Sequence, residues 1–110
     1  MKNLITTLLL LFALNISAQD LKLIHINAKW NQDNNYPHLR GLKNVSIQMA
    51  FLEDQSASLK SKIKSVPVIL LLDENGKPKG QWQADLTFQI KVTKEEMQSW
   101  INRIVMDASN

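Results

Sequence analysis

His25 and His38, with the adjacent acids Glu53 and Asp54, are the side chains of this sequence best suited to proton transfer, because an imidazole titrates near neutrality and a carboxylate can orient it. Nothing in their spacing pairs them. The two histidines fall on separate segments, and adjacent acids on an extended segment face apart, so Glu53 and Asp54 are expected to cap a helix N-terminus. The sequence contains no cysteine, which excludes thiol nucleophilic or redox chemistry of its own. No His-x-x-x-His pattern offers metal-ligand spacing. With glycine only at 41, 76 and 80, there is no Gly-rich phosphate loop. No metal and no other cofactor is expected, and catalytic residues are assigned to none of these positions. A histidine and carboxylate acting as acid and base is the enzymatic alternative.

Charge and hydropathy narrow the setting. Lys2 precedes an apolar run from Leu4 to Ile16, followed by Ser17-Ala18-Gln19, the pattern of a cleaved export signal over residues 1–19. The run is shorter than the ~20 residues of a membrane-spanning helix, so a periplasmic or secreted product without a stable membrane anchor is expected. The domain then covers 20–110. Without Lys2, the 13 Lys plus Arg become 12 against 10 Asp plus Glu, a net +2. That is too small a charge to point to nucleic acid. A domain of this length without disulfides relies on packing alone.

The elements that must position any site follow from periodicity. Leu21–Asn27 reads as a central strand covered on both faces. The polar run 31–36 favours turns, and a short helix is expected from Tyr36 or Pro37 to Leu42, with Leu39 and Leu42 inward. Val45–Leu52 alternates as a second strand. Leu59 and Ile63 mark a short amphipathic helix from Ser56, which Ser65-Val66-Pro67 ends. Val68–Leu72 is an apolar strand running into the turn Asp73-Glu74-Asn75-Gly76. Its partner is expected from Lys79 onward, with Trp82, Ala84, Leu86, Phe88 and Ile90 on a buried face. Thr93-Lys94-Glu95-Glu96 matches a capping box, in which Thr93 and Glu96 satisfy each other's backbone N–H groups. Met97, Trp100, Ile101, Ile104 and Val105 then form the apolar stripe of a helix over 94–106. The order β-α-β-α-β-β-α describes an α/β domain with a central mixed sheet flanked by helices.

With Ala28-Lys29-Trp30 after the first strand and Ser65-Val66-Pro67-Val68 opening the third, that order resembles the thioredoxin-like superfamily over the whole mature chain. The stretch from Gln83-Ala84-Asp85-Leu86-Thr87-Phe88 to Glu96 looks like a cysteine-less, redox-inactive exported bacterial branch of it. In active members a Trp-Cys-x-x-Cys segment follows the first strand. Here the corresponding residues are Trp30-Asn31-Gln32-Asp33-Asn34, with asparagine at both sulfur positions. The resemblance places His25 where the family carries a buried carboxylate. It also implies that Val66 and Pro67 sit opposite Trp30 and Asn31, where the family offers backbone groups to an extended peptide. The segment 31–44 is short for the family's first helix.

The resemblance therefore implies a non-redox module that binds a protein or extended peptide through Trp30, Asn31, Asn34, Val66 and Pro67. The alternatives are a structural or accessory subunit of a cell-envelope complex, docking through the strand 82–90, and a non-thiol enzyme on the same scaffold.

Overall fold

The apolar runs become strands close to where the sequence places them. The computed structural model describes residues 21–109, so the expected leader over 1–19 and the domain start at Asp20 lie outside the described residues. β1 (Leu21–Asn27), β2 (Val45–Phe51), β3 (Val68–Leu72) and β4 (Pro78–Gln83) form one sheet in the order β2-β1-β3-β4. β1 runs parallel to β2, from the pair Leu21–Val45 to the pair Asn27–Phe51. β3 is antiparallel to both β1 and β4. With α1 (Ala57–Lys62) and α2 (Lys94–Ser109), this is a mixed α/β domain of thioredoxin-like arrangement. Among the described residues no helix is long and apolar enough to cross a membrane.

One face of the sheet carries the main core. Leu21 and Leu23 of β1 and Ile69 and Leu71 of β3 pack against Met97 and Ile101 of α2. Burying each such side chain contributes about 1.5–3 kcal/mol. α2 starts as its capping residues predict on one side, with the Glu96 N–H donating to Thr93 Oγ1 at 3.1 Å. The Glu96 carboxylate accepts from the Thr93 hydroxyl. Where α2 crosses β4 the fit is close: a Cβ added at Gly80 would lie 2.7 Å from Trp100 Nε1, which donates to the Lys79 carbonyl at 2.9 Å.

Two expected elements do not form. The helix from Tyr36 or Pro37 to Leu42 is replaced by turns over 36–44, and helical geometry lies earlier, in a 3₁₀ helix at Lys29–Asn34. Long-range partners anchor Tyr36 within these turns. The Tyr36 N–H donates to His25 Nε2 at 3.0 Å and its hydroxyl to the Val92 carbonyl at 2.7 Å. Tyr36, Leu39 and Leu42 are buried as separate anchors in the core cluster.

The strand expected to reach Ile90 stops at Gln83. Asp85 ends it by closing a turn: the Phe88 N–H bonds to the Asp85 carbonyl at 3.0 Å, while the Thr87 N–H and hydroxyl both donate to Asp85 Oδ1. Such local side-chain bonds compete with a strand ladder. Leu86 and Phe88, expected on the buried face, are therefore exposed. Met49 and Met106 are exposed as well, whereas Met97 is fully buried.

Candidate functional site

The chain leaves β1 at Asn27 and turns immediately. Glu53, expected to cap the helix that follows it, instead reaches from the end of β2 to the end of β1 and takes the Lys29 N–H on both carboxylate oxygens, at 3.1 and 3.0 Å. It thus caps the 3₁₀ helix at Lys29–Asn34. α1 is capped by Ser56, whose hydroxyl accepts from the Leu59 N–H at 3.1 Å. Inside the 3₁₀ segment Asn31 departs from helical geometry, with φ −110° and ψ 20°. This is a sparsely populated region in which active-site residues are often found.

That departure turns the Asn31 side chain inward, where it is 4% exposed. Its Nδ2 lies 3.1 Å from Asn27 Oδ1, 3.3 Å from the Val66 carbonyl and 3.2 Å from the Phe88 carbonyl. Two N–H groups thus serve three acceptors. Its Oδ1 accepts from Asn34 Nδ2 at 2.7 Å. Asn27 is equally committed. Its Nδ2 donates to the Asn31 carbonyl at 2.8 Å and to Asn35 Oδ1 at 2.7 Å. Its Oδ1 also accepts from the Ala28 N–H at 2.9 Å. Gln89 Nε2 extends the chain of amides to Asn34 Oδ1 at 3.1 Å. In the turn after β1, then, lies an amide network whose buried members have their donors and acceptors filled, an arrangement that rigidifies its surroundings.

The network fixes what lies above it. With its carbonyl held by Asn31, Phe88 sits at φ 62°, left-handed backbone that a bulky residue rarely adopts. Its ring meets Trp30 edge to face, with centroids 5.2 Å apart and planes at 85°. Trp30 is 67% exposed, and Leu86, at the tip of the same turn, is 99% exposed. The turn is held from below by Asp85, whose carboxyl is drawn down to about 2 by the hydroxyl and N–H of Thr87. Trp30, Phe88 and Leu86 are thus large apolar side chains presented to solvent on a pinned support. Beside them a cleft of about 600 Å³ is lined by Asp33, Asn34, His38, Gln89 and Glu95 among others.

The histidines do not form an acid–base pair. His25 is fully buried, and burial holds its pKa below the ordinary imidazole value. Its Nε2 is occupied by the Tyr36 N–H, which places the proton of the neutral ring on Nδ1. His38 packs edge to face on Tyr36, with centroids 5.3 Å apart. Among the described residues no carboxylate bonds to either ring, and no group of three or more His, Cys, Asp and Glu is placed to hold a metal ion.

Of the five residues singled out in the sequence, the fold brings Trp30, Asn31, Asn34, Val66 and Pro67 to one end of the sheet. Asn31, Val66 and Pro67 are buried there, Asn34 is half-buried, and Trp30 is exposed. The Val66–Pro67 peptide bond is cis. The sequence reading missed Asn27, Asn35, Leu86, Phe88 and Gln89. Two signals in the sequence mark them: asparagines at 27, 31, 34 and 35 around one turn, and Asp85-x-Thr87, which forms a side-chain turn and interrupts an otherwise alternating strand.

A scan against known protein families finds no match, and no curated protein matches the chain. Among solved structures, the chain is similar to one from work on the thiol resolving mechanism in yeast mitochondrial 1-Cys peroxiredoxin. The two are 13% identical, with a TM-score of 0.49, over 76% of this chain and 78% of that one.

Proposed function

We propose that this protein is an exported, non-redox binding module. It docks an extended polypeptide with apolar side chains on the surface formed by Trp30, Phe88 and Leu86. The single observation that carries this reading is the last of these: a leucine 99% exposed at the tip of a turn fixed by Asp85 and Thr87, beside an aromatic pair in which the Phe88 carbonyl is held by Asn31. An exposed apolar side chain on a mobile loop is ordinary. Several held together on a rigid support match the anchors that dominate protein interfaces, because little entropy is lost when they are covered.

Recognition in this reading is by side-chain burial rather than by strand addition at Val66. The Val66 carbonyl already accepts from the buried Asn31 amide, which leaves it one lone pair rather than two for a peptide. Asn34 and Gln89, at the outer end of the amide network, offer polar contacts beside the anchors. Export over residues 1–19, with release into a periplasm or the medium, belongs to the same proposal. N-terminal sequencing of the secreted product tests it.

Binding is tested by titrating a library of extended apolar peptides while following tryptophan emission. The reading expects a blue shift that disappears in Trp30→Ala, binding weakened about tenfold or more in Leu86→Ser, and no change in Met106→Ala, an exposed methionine on α2. Equal binding by all three variants refutes it.

A further inference from the structure

The two edges of the sheet are built differently. β4 opens with Pro78, which has no N–H to offer, followed by Lys79, and its register against β3 shifts between Leu71 and Leu72. Proline, lysine and register breaks are means by which edge strands resist pairing. β2 has none of them. Val45–Phe51 reads Val-Ser-Ile-Gln-Met-Ala-Phe, without charge or proline, and keeps unbroken register with β1, while among the described residues its other side faces no strand. Ser46, Ile47, Gln48 and Met49 are exposed in succession. Ile47 and Met49, on one face, are 39% and 52% exposed.

We propose that β2 pairs with β2 of a second copy of this chain, antiparallel and centred on Gln48, to give a two-fold dimer with a continuous sheet. The strand is complementary to itself in that register. Ile47 comes opposite Met49, Val45 opposite Phe51, Ser46 opposite Ala50, and Gln48 opposite its twin. Opposed residues share a face, so apolar side chains meet on one side of the sheet and small or amide side chains on the other. Charge agrees with the same register. Lys43, just before the strand, approaches the end of the partner strand that leads into Glu53 and Asp54. This surface is independent of the Trp30 anchors, which an antiparallel pairing leaves at opposite ends of the joined sheet.

Light scattering on protein expressed from the full sequence, with the processing its host applies, tests the proposal. The expected mass is twice that of the monomer, falling twofold in Ile47→Lys. Because the protein has no cysteine, single-thiol variants give a second readout that does not depend on that substitution being tolerated. Gln48→Cys should form a disulfide-linked dimer about tenfold or more faster than Ser46→Cys, since residue 46 lies about 13 Å from its twin in this register, beyond disulfide reach. A monomeric wild type, a dimer unaffected by Ile47→Lys, or equal crosslinking at 46 and 48 overturns it.

Discussion

The side-chain amide of Asn31 donates to the Val66 carbonyl at 3.3 Å, so one of the backbone groups that the thioredoxin-like resemblance would offer to a peptide is engaged from within. The same amide reaches the carbonyl of Phe88, which ties the turn after β1 to the loop that carries the exposed anchors. Asn31 is therefore the joint between the buried network and the presented surface.

Removing that joint should destabilise the fold in a chemically graded way. Asn31→Ala leaves buried carbonyls and amides without a partner and is expected to cost about 1–3 kcal/mol. Asn31→Asp should cost more, because a carboxylate would face the oxygens of Asn27, Val66 and Phe88. Urea unfolding of the two variants checks the order. An aspartate variant as stable as wild type contradicts the network as described.

Phe88 separates binding from stability. Its left-handed backbone costs of order 1 kcal/mol, and its edge-to-face contact with Trp30 returns about 0.5–1.5 kcal/mol. Phe88→Gly should therefore change unfolding free energy by less than about 1 kcal/mol while weakening peptide binding. Loss of both in parallel would show that Phe88 serves packing alone.

The sequence made some of this visible and not the rest, for identifiable reasons. β1, β3 and α2 follow from apolar runs or stripes whose period matches their element, as does Met97 at the centre of the core. The turn at Asp73–Gly76 follows from its residue types. The helix expected at 36–42 is replaced by turns that bury Tyr36, Leu39 and Leu42 as separate core anchors, a tertiary arrangement that no local pattern encodes. The strand expected at 84–90 fails because the Asp85 and Thr87 side chains outcompete a ladder. At the site, the absence of cysteine and the position of Trp30 were legible. The amide network was not, because an asparagine reads as a turn residue until its partners are known.

The cap supplied by Glu53 is a further check on how the site is held. Glu53→Ala removes the carboxylate that binds the Lys29 N–H, and a cost of about 0.5–2 kcal/mol is expected. Hydrogen exchange should locate the loosening in 29–34 rather than in α1, which Ser56 caps. Exchange that rises in 57–62 instead would place the cap where the sequence alone puts it.

His25 sets a pH dependence. Burial lowers its pKa in the folded state relative to about 6.5 when unfolded, so the unfolded chain binds the extra proton first. Its contribution to stability is complete above that unfolded value and declines as pH falls below it, with a limiting slope of about 1.4 kcal/mol per pH unit for one proton. Urea unfolding between pH 7.5 and 5 measures this slope, where ~1.4 is the single-proton limit. His25→Gln should flatten it, and an unchanged slope would assign the effect to other groups.

The central claim is that a partner covers Trp30 while the amide network stays in place. It is most directly tested by recording the indole N–H resonances of the protein during titration with extended apolar peptides. The account predicts that the Trp30 resonance moves, whereas that of Trp100, whose N–H is held by the Lys79 carbonyl, and the side-chain amides of Asn27 and Asn31 do not. A stationary Trp30 resonance under saturating peptide, or displacement of the Asn31 amide as the peptide binds, would contradict it.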